Sequence, residues 1–91
     1  MVLTAVHLAE ATPYGCRMVL STSGPVGRVD TMSLSGGRFV FDLAGVAWDG
    51  PVRRVDPRAS GVSEYRYSQL TRNPLVTRFV VEVSAGWTCR H

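Results

Sequence analysis

The sequence contains no lysine, only two cysteines and no long apolar run. All ten basic residues are arginine, and they are scattered along the chain without a cluster of five or more. Because proteins that follow a phosphate backbone need closely spaced cations, and because no aromatic RNP-like motif is present, we do not expect nucleic-acid binding. No segment reaches the ~18 consecutive apolar residues that a membrane span needs. We therefore expect no membrane-spanning segment.

The two cysteines, Cys16 and Cys89, lie far apart in the chain and in no metal-binding spacing. A structural zinc site needs four ligands, so the sequence predicts no metal and no other cofactor. A disulfide between them would close a long loop and stabilise the fold by roughly 4 kcal/mol in an oxidising compartment. Two free thiols are the alternative, and the sequence leaves both open.

Signatures of catalysis are also missing. The chain has no G-x-S-x-G, H-E-x-x-H or phosphate-binding loop, and its seven acids include no close pair suited to acid–base work. His7 and His91 have no partner at ligand or general-base spacing. We therefore expect no enzymatic activity from this chain.

What the sequence does contain is a repeated alternating pattern. It occurs at residues 38–45 (RFVFDLAG), at residues 78–86 (RFVVEVSAG) and more weakly at residues 17–24 (RMVLSTSG). In a β-strand, successive side chains point to opposite faces. One face of each segment is therefore apolar and is interpreted as core. The other presents arginine, valine and an acid or hydroxyl to solvent or to a ligand.

Turn-forming residues separate such segments every eight to twelve residues, and no helical period is apparent. We predict an all-β fold, an antiparallel β-sandwich of two small sheets with seven or eight strands, forming one domain over residues 1–91. The expected central strand is residues 38–43. The predicted strands are residues 2–8, 16–22, 28–34, 38–43, 52–55, 62–71, 77–83 and, as an eighth, 87–90.

The order of these motifs resembles the AMIN domain, found ahead of the catalytic domain of N-acetylmuramoyl-L-alanine amidases and in the periplasmic part of type IV pilus secretins. Residues 36–46 (GGRFVFDLAGV) are similar to the central family signature, and residues 65–69 (YRYSQ) resemble its I-R-x-G-Q stretch. The arginine-led segments at residues 17–20 and 78–83 resemble the first and the closing strand of the family, in the same order along the chain. Ser68 stands where glycine is usual, and Glu82 replaces aspartate.

This resemblance implies a non-catalytic module that binds peptidoglycan and localises an attached amidase or secretin in the periplasm or cell envelope. We accordingly expect the chain to be a segment of a longer protein whose leader lies elsewhere. The alternative is a protein–protein interaction domain, contacting envelope or pilus proteins in a pilus or cell-division assembly without glycan binding.

Peptidoglycan offers carboxylates, which suit arginine forks, and sugar rings, which suit aromatic side chains. The candidate ligand-binding residues are Arg17, Arg38, Asp42, Arg66, Gln69, Arg78, Glu82 and Trp48. For the charged residues, cross-strand ion pairing is the alternative. For the aromatic candidates the alternative is core packing, and these are Trp48, Tyr65, Tyr67 and Trp87.

Overall fold

A computed structural model describes residues 1–12, 15–58 and 61–89. These residues form seven β-strands and no helix. The strands are β1 (Leu3–Thr12), β2 (Gly15–Thr22), β3 (Val29–Leu34), β4 (Arg38–Ala44), β5 (Arg53–Val55), β6 (Val62–Arg72) and β7 (Leu75–Val83).

The strands form two antiparallel sheets, which confirms the predicted fold class. One sheet has two strands, β1 and β2, and the other has five in the order β3-β4-β7-β6-β5. The expectation that residues 38–43 form the central strand was wrong by one place, because β7 lies in the middle and β4 beside it. A middle strand is flanked by neighbours on both sides, and β7 has the longest run of buried side chains.

The core lies between the two sheets and is filled by the apolar face that the alternating pattern predicts. The ring of Phe79 lies 6.3 Å from that of Phe41 and 5.8 Å from that of Tyr65, centroid to centroid. Burial, with a smaller contribution from the neighbouring Tyr67, raises the pKa of the Tyr65 phenol. The buried core residues are Leu3, Phe41, Leu43, Val46, Val62, Tyr65, Tyr67, Phe79, Val81 and Val83.

The two sheets are joined at one end by backbone hydrogen bonds. The Leu3 amide donates to the Ala47 carbonyl at 2.9 Å, and the Ala47 amide donates to the Met1 carbonyl at 2.8 Å. Val46, which precedes this junction, is fully buried. The segment that leaves β4 therefore anchors the start of β1 over the inner face of the larger sheet.

Glycine is required at the turn between β3 and β4. Gly37 has a φ of +74°, a conformation that costs other residues free energy. A Cβ atom there would also collide with the backbone carbonyl of Val83, whose amide donates to the Gly37 carbonyl at 2.9 Å. The turn at residues 35–37 therefore holds β4 and β7 in register at this end.

The predicted eighth strand does not form over the residues that the structure describes. After β7 the chain turns at Gly86, whose φ is +87°, and the Trp87 amide donates to the Ser84 carbonyl at 3.0 Å. The Trp87 ring packs directly over Gly61, where a side chain would collide with it. Residues 87–89 are thus held by a turn and by ring packing instead of a β-ladder, and Arg90 lies outside the described residues.

Replacing Phe79 with alanine is expected to lower the free energy of unfolding by about 3 to 5 kcal/mol, because a buried ring is lost and a cavity remains. Denaturant unfolding followed by tryptophan fluorescence measures this loss. Val52→Ala is the matched control, since Val52 is 56% exposed and its truncation should change stability by no more than about 0.5 kcal/mol. Equal losses in the two variants would contradict the assigned core.

Candidate functional site

Most of the candidate residues lie on the face of the five-stranded sheet that points away from β1 and β2, here called the outer face. Alternate positions of β3, β4, β5, β6 and β7 supply it, since most of the intervening side chains point to the core. Five of the eight candidates are brought together there: Arg38, Asp42, Arg66, Arg78 and Glu82.

Two buried valines form the floor of the outer face. Val40 and Val80 are directly opposite each other in the register and are only 3% and 7% exposed. The alternating pattern predicts solvent-facing valines at these positions, and that prediction was wrong. Arg66 lies opposite Val80 on the next strand, and arginine stems cover neighbouring apolar surface while their charged ends stay in water.

A shallow groove of about 310 Å³ runs over this floor. Its apolar part consists of the two valines with Leu34 and Val52, and its polar part consists of arginine and serine side chains. The groove is lined by Leu34, Val40, Val52, Arg54, Arg66, Tyr67, Ser68, Arg78 and Val80. The Tyr67 side chain belongs to the core and is only 8% exposed.

Asp42 and Arg78 are directly opposite each other on β4 and β7 and form a two-pronged ion pair. Arg78 donates from Nε to Oδ1 at 2.8 Å and from an amino nitrogen to Oδ2 at 2.9 Å. This hydrogen bonding, assisted by the charge of Asp42, raises the pKa of Arg78 above its usual range. The two hydrogen bonds therefore fix both side chains.

A second charged cluster lies along the same face. Glu64 and Glu82 are directly opposite on β6 and β7, an arrangement that repulsion disfavours. One amino nitrogen of Arg66 lies 2.9 Å from Glu64 and 3.3 Å from Glu82 and so bridges them. Arg38 and Arg54 contact the two acids only at 4.0 and 3.9 Å, and their side chains are 45% and 65% exposed.

The cross-strand ion pairs considered as an alternative for these residues are thus present. These ion pairs do not use all the N–H donors of the arginines, because each guanidinium carries five N–H groups. Arg38 and Arg54 have the most exposed guanidinium groups of the outer face and the longest contacts to its acids. Each of these two side chains could bind a ligand carboxylate without breaking a short ion pair.

Three candidates lie away from this cluster. Arg17 is exposed on β2, in the other sheet, where Met18 and Leu20 take the core positions. Trp48 and Gln69 lie at the end of the larger sheet next to the junction with β1. The sequence repeat that groups Arg17 with the other arginines does not show which sheet each strand joins.

Gln69 joins several backbone segments. Its Nε2 lies 2.7 Å from the Val76 carbonyl, 2.9 Å from that of Thr71 and 3.4 Å from that of Val46, while its Oε1 accepts from the Trp48 amide at 2.8 Å. A β-bulge between Gln69 and Thr71 interrupts the β6–β7 ladder at this point. The side-chain amide therefore satisfies backbone groups that the ladder leaves unpaired.

The indole of Trp48 is half-buried. Its Nε1 donates to the Pro51 carbonyl at 2.9 Å, and its ring meets that of Tyr67 edge-on at 5.0 Å between centroids. These contacts match the core-packing alternative. Tyr65 and Tyr67 are also buried, and Trp87 is partly buried against the core.

An apolar crevice of about 790 Å³ opens between the sheets beside β2, and both cysteines line it. Burial raises the pKa of the Cys16 and Cys89 thiols, and the neighbouring Cys16 raises that of Cys89 further. Both are free thiols. Over residues 1–12, 15–58 and 61–89, no group of three or more histidine, cysteine or acidic residues is placed to hold a metal ion.

Gln69→Glu is expected to destabilise the fold by about 1 to 3 kcal/mol at pH 7, because it removes donors from buried carbonyls and places a negative charge beside them. The folded state should raise the pKa of the new carboxyl above its unfolded value of about 4.3. The folded variant then binds more protons, so the stability deficit should shrink as pH falls through that raised pKa.

Denaturant unfolding of both proteins between pH 7 and pH 4 measures this difference. Gln69→Ala is the matched control, because it loses the same hydrogen bonds without adding a charge, and its deficit should stay nearly constant with pH. A deficit of Gln69→Glu that does not change with pH would show that the amide does not lie among the carbonyls.

Thiol alkylation tests the environment of the cysteines. Only the thiolate reacts, and both thiols are partly buried with raised pKa values. In the native protein, the rise of the iodoacetamide reaction rate with pH should therefore lie at higher pH than for a free cysteine. Unfolding in urea should remove the difference. A rate curve equal to that of free cysteine would contradict the raised pKa values of the two thiols. A failure of the reduced protein to react after unfolding would contradict burial as the reason for its slow reaction.

Comparison with known proteins identifies the family of the chain. The AMIN domain family matches residues 5–90 of the 91-residue chain. Neither the curated proteins nor the solved structures yield a significant match. The described ranges also hold no helix with the length and apolar character needed to cross a membrane. Since the family match covers almost all of the sequence, the chain belongs to the AMIN domain family.

Proposed function

We propose that this domain binds peptidoglycan through its outer face and so localises an attached amidase or secretin at the cell envelope. The AMIN family is known as a peptidoglycan-binding, non-catalytic module, and its members occur in periplasmic and envelope proteins. Membership of the family supports peptidoglycan as the ligand, and the geometry of the larger sheet supports the outer face as the contact surface.

The observation that carries the choice of face is the pair of available guanidinium groups beside an apolar floor. Arg38 and Arg54 are exposed and contact acids only at 3.9 to 4.0 Å. Val40 lies on β4, the strand of Arg38, and Val80 lies on β7, between β4 and the strand of Arg54. Guanidinium forks bind carboxylates in two-pronged geometry, and a valine floor offers contact to methyl groups.

Co-sedimentation with purified sacculi tests the proposal. The double variant Arg38→Gln with Arg54→Gln should weaken apparent affinity roughly tenfold or more, because charge-assisted hydrogen bonds contribute about 1.5 to 3 kcal/mol each and 1.4 kcal/mol is tenfold. The charge-matched control is Arg58→Gln with Arg72→Gln, which removes two exposed arginines from loop and strand-end positions and should bind like the unchanged protein.

The outcomes test separately whether peptidoglycan is the ligand and whether the outer face is the contact surface. If the unchanged chain does not sediment with sacculi, peptidoglycan binding is excluded. If the two double variants lose affinity equally, binding depends on net charge and not on the outer face. If Arg17→Gln alone abolishes sedimentation, the contact surface is the two-stranded sheet.

A protein-interaction role is the second candidate, favoured by the edge of the larger sheet. On β3, which has a neighbour on one side only, Met32 and Leu34 are both more than 40% exposed. Exposed apolar side chains on an unpaired edge are suited to contact with another protein. This role predicts that Met32→Glu abolishes retention by a purified envelope partner, whereas Arg54→Gln, on the opposite edge strand β5, leaves that retention unchanged.

A further inference from the structure

We infer that the outer face recognises the peptide stems of peptidoglycan and not its glycan strands. This inference rests on the proposed function and specifies which part of the polymer is bound. Three properties of the outer face carry it: the position of the aromatic rings, the mixture of charges and the apolar floor.

The first property concerns the aromatic rings. Sugar recognition commonly uses an exposed aromatic ring as a flat platform with a polar handle. On β4, β6 and β7 every aromatic side chain takes a core-facing position. Trp48 packs edge-on against Tyr67, and Trp87 packs over Gly61. Within the described part of the chain, the outer face therefore offers no aromatic platform for a sugar.

The second property is the mixture of charges. Four arginines and four acids share the outer face, and the two acids of β6 and β7 lie side by side under Arg66. A glycan backbone has little charge to match this pattern, and a polyanion would be repelled by the acids. Stem peptides carry free carboxylates and, in their diamino acid, an amino group. Such a ligand can meet exposed guanidinium and carboxylate groups on one surface.

The third property is the floor of the groove. Its valine floor is flanked by the exposed guanidinium of Arg54, and its volume of about 310 Å³ is at the small end of the range for ligand sites. The alanine residues of a stem peptide present methyl groups of matching size next to their backbone carboxylates and amides. A methyl group on the valines and a carboxylate on Arg54 can therefore be bound together.

Competition on intact sacculi tests the inference with defined soluble probes. Free stem tetrapeptides should release the sedimented domain. Soluble oligomers of N-acetylglucosamine, which present sugar rings but neither a peptide nor a lactyl carboxylate, should not release it at the same concentration of repeating units. Sedimentation without a competitor tests the proposed function, and the comparison of the two competitors tests the inference. Release by the sugar oligomers but not by the peptide would overturn the inference and leave peptidoglycan binding intact.

Titration of the isolated peptides sharpens the test. A stem tetrapeptide whose carboxylates are amidated should bind at least about tenfold more weakly than the free acid, since it can no longer form the charge-assisted bonds. The Arg38→Gln, Arg54→Gln variant should lose this preference for the free acid, whereas Arg58→Gln with Arg72→Gln should keep it. Equal affinity of the unchanged chain for both peptides would overturn carboxylate recognition.

Discussion

The register between β4 and β7 is the constraint on which the rest of the structure depends. It places Phe41 opposite Phe79 on the inner face and Val40 opposite Val80 on the outer face. The same alignment places Asp42 opposite Arg78. A slip of one residue would turn each of these side chains to the wrong face, so the core, the groove floor and the best ion pair are specified together. The close approach of Gly37 to Val83 fixes this register at one end.

At the other end of the sheet the β6–β7 ladder is irregular, and side-chain hydrogen bonds to the backbone supplement it. The bulge after Gln69 leaves backbone carbonyls of β6 and β7 without ladder partners, and the Gln69 amide lies within reach of them. The hydroxyl of Thr77, which is fully buried, donates to the Val46 carbonyl at 2.7 Å. Because the segment after β4 also holds the start of β1, these polar contacts connect the two sheets where packing alone does not.

Alternation along single strands could be read from the sequence, and it gave the strands, the two-sheet class and the inner aromatic face. It could not give properties that depend on neighbours across the sheet. Val40 has the spacing of an exposed residue but is covered, because Met32 and Val80 flank it on the two adjacent strands. Arg17 shares the motif of Arg38 yet lies on the other sheet. The contacts of Gln69 could not be read from the sequence, because its carbonyl partners come together only in the folded chain.

Charge balance on the outer face explains how a domain with excess arginine can be selective. A surface with uncompensated guanidinium groups would attract any polyanion, with affinity falling steeply as salt rises. Here Arg66 and Arg78 are occupied by acids at 2.8 to 3.3 Å, which leaves Arg38 and Arg54 as the available donors. A ligand then gains most if it presents carboxylates at their spacing, tolerates the neighbouring acids and places apolar groups on the valines. Selectivity follows from this joint requirement, since none of the three interactions is strong alone at an exposed surface.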